Sequence, residues 1–146
     1  MASRKPLVLN GGAIEQLQSG DTLDAATTGK DVVNLTASAA LAVGDAVYIS
    51  AAGTVAKAQA NAVATARVIG FAAESIGASA SGPIQTDGIL PGMTGLTAGA
   101  TYYLSDATPG LVSSTPPSGA GKYVVCVGTA ISETELEISI REPIKL

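Results

Sequence analysis

The sequence predicts an all-β fold, a compact β-barrel or sandwich built on a duplicated hairpin, with an extended N-terminal arm. Three observations predict it. First, Leu41-Ala-Val-Gly44-Asp-Ala-Val-Tyr48-Ile-Ser50 recurs at a constant offset as Leu96-Thr-Ala-Gly99-Ala-Thr-Tyr-Tyr103-Leu-Ser105, with Leu, Gly, Tyr and Ser in register. Second, apolar residues recur mostly with the two-residue period of half-buried strands, not with the 3.6-residue period of helices. Third, Gly, Pro, Asn, Asp and Ser break the chain into short runs.

Residues 1–31 read as the arm. Pro6-Leu-Val-Leu9 is a short β-prone run stopped by Asn10-Gly11-Gly12, and a second run covers Ala13 to Gln18. The polar stretch Ser19 to Gly29 has too little apolar surface for a core of its own. From residue 32 to 146 the chain reads as one β domain, its internal repeat spanning about 41–72 and 96–130. Val32–Leu35 is a strand. Asp45–Ser50 alternates, and its second copy alternates in the same phase, which predicts Val47, Ile49, Tyr102 and Leu104 inside and Tyr48 and Tyr103 at the edge. Each hairpin is followed by a weaker match, Arg67-Val-Ile-Gly-Phe-Ala72 and Val125-Cys-Val-Gly-Thr-Ala130, which aligns Gly70 with Gly128 and Ala72 with Ala130. A Gly inside a strand marks a bulge or a close backbone approach. Glu133, Glu135 and Glu137 alternate with Leu136, Ile138 and Ile140, a half-buried strand with an acidic outer face. Ala58 to Ala66 is Ala-rich but too short for a stable isolated helix and reads as a loop with a turn. Thr115 to Gly121 is a surface loop.

Composition bounds the function. The core must be built from Ala, Val, Ile and Leu, because the chain has one Phe, four Tyr and no Trp. Small side chains bury little area each, so burial between subunits is expected and an oligomer is favoured over a monomer. A net charge of −4 argues against nucleic acid as partner, since phosphates need a Lys/Arg surface. No run approaches the roughly 20 apolar residues of a membrane span, and no secretory leader is legible at the N-terminus. The single Cys126, in an apolar β-like run, reads as a small hydrophobe.

Catalytic chemistry is poorly supplied. With no His, the Ser-His-Asp and Cys-His arrangements and most zinc sites fall away. Asp21, Asp24, Asp31, Asp45, Glu74, Asp87 and Asp106 stand mostly beside Gly, Ser or Thr, where Asp caps local turns. Asn10-Gly-Gly lacks the Lys and the strand–helix setting of a phosphate loop. The reading is a non-enzyme with no cofactor and no metal. Tyr48, Tyr102, Tyr103 and Tyr123 could form a platform for carbohydrate, but amphipathic edge or interface residues fit them better.

The repeated hairpin, the following Thr108-Pro-Gly-Leu-Val112, the run Val125 to Ala130, the closing acidic-apolar strand and the opening Ile14-Glu-Gln-Leu-Gln-Ser-Gly-Asp-Thr-Leu23 resemble tailed-bacteriophage virion structural proteins. Most similar are the head decoration, or cement, proteins; modules of tail fibres and tail spikes carry comparable runs. The resemblance implies a protein made in the bacterial host cytoplasm and carried on the capsid exterior. It implies a trimer seated over capsomer junctions, with the major capsid protein as partner. The unrepeated ends are then the expected grips on capsid or neighbouring subunit: Pro6, Leu7, Val8, Leu9, Ile14 and Leu17 from the arm, Ile144 and Leu146 from the C-terminus. A tail-fibre or spike-base module is the alternative, and a carbohydrate-binding β module a further one.

Overall fold

A computed structural model describes Leu7–Asn10, Ala13–Gln16 and residues 31–146, and all regular structure among them is β. Thirteen strands follow in chain order: β1 (Leu7–Asn10), β2 (Ala13–Gln16), β3 (Asp31–Ala37), β4 (Ala46–Ala51), β5 (Thr54–Lys57), β6 (Gly70–Ala72), β7 (Ser81–Leu90), β8 (Thr101–Leu104), β9 (Val112–Ser113), β10 (Tyr123–Val124), β11 (Cys126–Ala130), β12 (Leu136–Ile138) and β13 (Ile144–Lys145). Nine of them form one sheet in the order β3-β5-β4-β6-β7-β12-β11-β8-β9. Strand β3 pairs parallel with β5 and antiparallel with β7, so β3, β5, β4, β6 and β7 close into a five-stranded barrel.

The duplicated hairpin is present and reaches further than its sequence signal. The first copy is β4–β5 and the second β8–β9. Each enters through a glycine with positive φ, Gly44 (83°) or Gly99 (82°), a conformation that costs a residue with a Cβ about 1–2 kcal/mol. Each of these glycines donates its N–H to the matching alanine, Gly44 to Ala72 O (2.9 Å) and Gly99 to Ala130 O (2.8 Å). The next strand pairs in the same register, Val47 with Gly70 and Tyr102 with Gly128. A fourth strand repeats as well: Ala72 faces Ile84 on β7, and Ala130 faces Leu136 on β12. The chain is therefore two four-stranded units of one design, β5-β4-β6-β7 and β9-β8-β11-β12.

Strand β7 joins them by serving twice. Its first part is the fourth strand of unit one, where Ile84 also faces Val33 of β3. Its last residues, Gly88–Leu90, pair with β12, where Leu90 faces Leu136. Leu90 thus takes in unit two the place of Val33 in unit one. Gly88, with φ 85°, lies where the strand passes from one role to the other.

Two cores follow from this plan. Ala37, Leu41, Val47, Val55, Ala72, Ile76 and Ile84 fill the barrel of unit one. The larger core takes Leu96, Tyr102, Leu104, Val125, Val127, Ala130, Leu136 and Ile138 from unit two and Ala46, Phe71 and Val68 from unit one. Neighbours on β4 and β6 thus face different cores: Val47 and Ala72 point into the barrel, Ala46 and Phe71 into the second core. Each fully buried Val, Leu, Ile or Phe is worth about 1.5–3 kcal/mol over its exposed state.

Val47, Tyr102 and Leu104 are buried as their alternation predicts, and Tyr48 and Tyr103 are half-buried. Ile49 is not buried: it is 46% exposed. It lies past the last β4 residue that β6 covers and beside a bulge between Ile49 and Ala51. Residues 58–66 form a loop with one α-turn, Ala66 N–H to Ala62 O at 2.9 Å. Strand β7 has no counterpart in the sequence reading, because Gly82, Pro83, Asp87 and Gly88 argue locally against a strand. Pro83 is accommodated because it lacks only an N–H: its carbonyl accepts from Ala73 N–H at 3.1 Å.

Candidate functional site

The C-terminal grip residues are held in place by backbone bonds. Strand β13 pairs with β10 through Tyr123–Lys145 and Val124–Ile144, in a two-stranded sheet apart from the nine-stranded one. Leu146 N–H reaches Lys122 O at 2.9 Å, and Gly121 N–H reaches Leu146 O at 3.1 Å. The side chains of Ile144 (64% exposed) and Leu146 (46%) remain open to solvent. Just before them, Arg67, Val68, Ile69, Ile140, Arg141 and Pro143 border a cleft of about 470 Å³.

At the other end, the two β-prone runs of the arm pair with each other. Strands β1 and β2 form an antiparallel hairpin, with Leu7 opposite Gln16, Val8 opposite Glu15 and Leu9 opposite Ile14. This hairpin too is a sheet of its own. Pro6 and Leu17 lie outside the described residues. The structure therefore joins Leu7, Val8, Leu9 and Ile14 in one element and Ile144 and Leu146 in another.

A feature that the sequence reading passed over lies where the two units meet. Val43, Gly44, Asp45, Met93, Leu96, Tyr102, Leu111 and Val112 surround a cleft of about 280 Å³. Asp45 is 4% exposed there. Its carboxylate accepts from Ala42 N–H at 2.9 Å and pairs with Lys57 Nζ at 3.0 Å. The backbone beside it fastens the units together: Ala46 N–H donates to Gly110 O (2.8 Å), and Gly110 N–H donates to Ala58 O (2.7 Å). The signal that could have found the cleft is an inequality within the repeat, because the position of Asp45 is occupied by Ala100 in the second copy.

No family model matches the chain, and neither does any curated protein.

The remaining chemistry is local. Asp106 pairs with Lys122 at 3.5 Å. Among the described residues, no group of three or more His, Cys, Asp or Glu is placed to hold a metal ion. Gln85, buried inside the sheet, donates from Nε2 to Asp87 O at 3.0 Å. Tyr102 is buried, and its hydroxyl accepts from Thr97 N–H at 2.9 Å, a bond that helps fix the turn into the second hairpin. Tyr48 and Tyr123 pack against the larger core. Cys126 is a free, half-buried thiol on β11, opposite Tyr103. Glu137 points outward between buried Leu136 and Ile138, as the alternation in the sequence predicts.

Proposed function

We propose that this chain is a non-enzymatic structural protein of a tailed-phage particle, bound to the outer head surface as a decoration protein. In this reading it assembles as a trimer and clamps neighbouring major capsid proteins. One observation carries the reading. Both chain ends form small two-stranded sheets outside the nine-stranded sheet, and the C-terminal one presents Ile144 and Leu146 to solvent. The duplicated scaffold is then a rigid body, and its ends supply sheet edges and apolar side chains for a partner. A strand edge binds through main-chain hydrogen bonds and needs little side-chain identity. Several such ends on one oligomer multiply a modest interface by avidity.

The decisive experiment is electron cryo-microscopy of phage particles that contain this chain. Density for the two fused β units is expected on the outside of the head, over capsomer junctions. Density at the tail or the spike base overturns the head assignment and favours the tail-module alternative. A second measurement tests the grip. The full chain carrying I144D and L146D is expected to keep its fold and lose occupancy on heads; full occupancy removes the C-terminus from the interface.

A further inference from the structure

The nine-stranded sheet has one end that no described strand covers, and that end is β9. The two units differ there. In unit one the equivalent strand, β5, is covered by β3: Thr36 N–H donates to Gly53 O (3.0 Å) and Ser38 N–H to Val55 O (2.9 Å). Val112 is the counterpart of Val55, since Ile49 faces Val55 and Leu104 faces Val112. Ser105 N–H donates to Leu111 O at 2.9 Å, and Tyr103 pairs with Ser113. Bonded pairs alternate along an antiparallel ladder, so Leu111 and Ser113 bond towards β8 while the N–H and C=O of Val112 point out of the sheet. Met93 and Thr94 follow Leu90 as Thr36 and Ala37 follow Val33 at the end of β3. In unit two, however, this segment stands away from β9 and leaves the cleft of about 280 Å³ between them.

This edge is short, two residues in β9, but neither of them is Lys or Pro and no described strand covers it. Exposed edges are normally blunted by Lys, Pro or a covering element. Here Leu111 is 51% exposed beside Val112, and the cleft floor holds Met93, Leu96 and Tyr102. The same chain carries an unsupported partner. An isolated two-stranded hairpin is marginal in water, yet β1 and β2 form one and pair with no other described strand. Residues 17–30 can span at most roughly 50 Å between the hairpin and β3, enough to reach a neighbouring molecule. The single chain holds both the open edge and the hairpin and does not join them.

We infer that β9 is a docking edge for the β1–β2 hairpin of a second copy of this chain. The hairpin extends the sheet beyond β9 with main-chain bonds to the outward N–H and C=O of Val112, on the side where the cleft leaves β9 uncovered. The contact is head-to-tail, so copies close into a ring where the rotation allows it. The inference deepens the oligomer in the proposed function and does not depend on the capsid. An assembly that forms through this edge and never binds a head overturns the capsid reading alone.

The test is the mass of the full chain in solution, by sedimentation or light scattering across micromolar concentrations. The parent is expected to self-associate. V112P removes the outward N–H and leaves the bonds of β9 to β8, and V8P breaks the hairpin. V112P is expected to keep the far-UV spectrum of the parent and V8P to keep the thermal transition of the nine-stranded sheet, and each to raise the assembly Kd by about tenfold or more. An equimolar mixture of the two restores a one-to-one pair, because V8P retains the edge and V112P the hairpin. If V112P loses the parent's spectrum, S114P, the next outward position, replaces it in every arm. A monomeric parent, undiminished assembly of the edge variant, or a mixture of folded variants that stays monomeric overturns the inference.

Discussion

Gly70 and Gly128 are the same residue of the design used twice. A Cβ on Gly70 would collide with the carbonyl oxygen of Gln85 and come within 3.0 Å of Ile84 Cγ2. A Cβ on Gly128 would collide with the carbonyl oxygen of Glu137 and come within 3.2 Å of Leu136 Cγ. Gln85 and Glu137 themselves hold matching places on β7 and β12. In both units the strand that follows the hairpin, β6 or β11, can lie this close to β7 or β12 only where the side chain is absent.

G70A and G128A are therefore expected to destabilise the protein by similar amounts, about 3 kcal/mol each, the upper end of ordinary over-packing. The obstacle is backbone, which cannot rotate away as a side chain can. G53A provides the contrast. Gly53 has φ 68° and open space around it, so only backbone strain is added, about 1 kcal/mol. Urea midpoints of the three variants check the ranking. A G70A or G128A protein as stable as G53A would mean that the two strands can move apart.

Asp45 and Lys57 give an unequal pair of predictions. The aspartate side chain is 6% exposed and the lysine 38%. Removing Lys57 strands a buried carboxylate, whereas removing Asp45 leaves a lysine that still reaches water. K57M is expected to cost about 2 kcal/mol, the loss of a partner by a buried carboxylate that still keeps the Ala42 N–H. D45N retains an acceptor for Ala42 N–H and should cost about 1 kcal/mol. The double variant should lose less than the sum, because the stranded charge is gone. Additive losses would show that the two side chains are not coupled.

Much of this architecture is legible in the sequence, for identifiable reasons. The hairpins carry alternating apolar residues and a glycine that must adopt positive φ, so Leu41–Ser50 and Leu96–Ser105 betray the repeat. Gly70 and Gly128 align because the same backbone collision constrains both. The repetition of the fourth strand is hidden because its two copies face different surroundings. Gln85 is buried in the middle of the sheet, while its counterpart Glu137 faces solvent. A repeat in backbone register then leaves no repeat in residue type. The cleft is hidden for a related reason: it arises where unit two fails to close, and no local pattern records a missing strand pairing. Ile49 shows the reverse error, a correct alternation carried past the end of the neighbouring strand.

The Tyr102 hydroxyl should contribute through a single bond. It accepts from Thr97 N–H at 2.9 Å in a largely buried setting, and Phe at this position keeps the ring. Y102F leaves that N–H without its partner, at an expected cost of about 1 kcal/mol. Hydrogen exchange should show the change first at Thr97, in the turn before β8. Unchanged exchange there would mean that water replaces the hydroxyl.

Phe71 couples the two units and makes unfolding a single event. It lies on β6 of unit one, yet its fully buried ring belongs to the core shared with Leu104, Val127 and Leu136 of unit two. Strand β7 crosses between the same units as one continuous backbone. Neither half can lose its structure without exposing the other's core, so thermal unfolding is expected as one transition seen equally by all probes. F71A should lower stability by about 3–5 kcal/mol while keeping that transition single. F71L retains part of the buried volume and should fall between F71A and the parent. If F71A instead splits the melt in two, the units fold independently and the joint through β7 is weaker than its pairing implies.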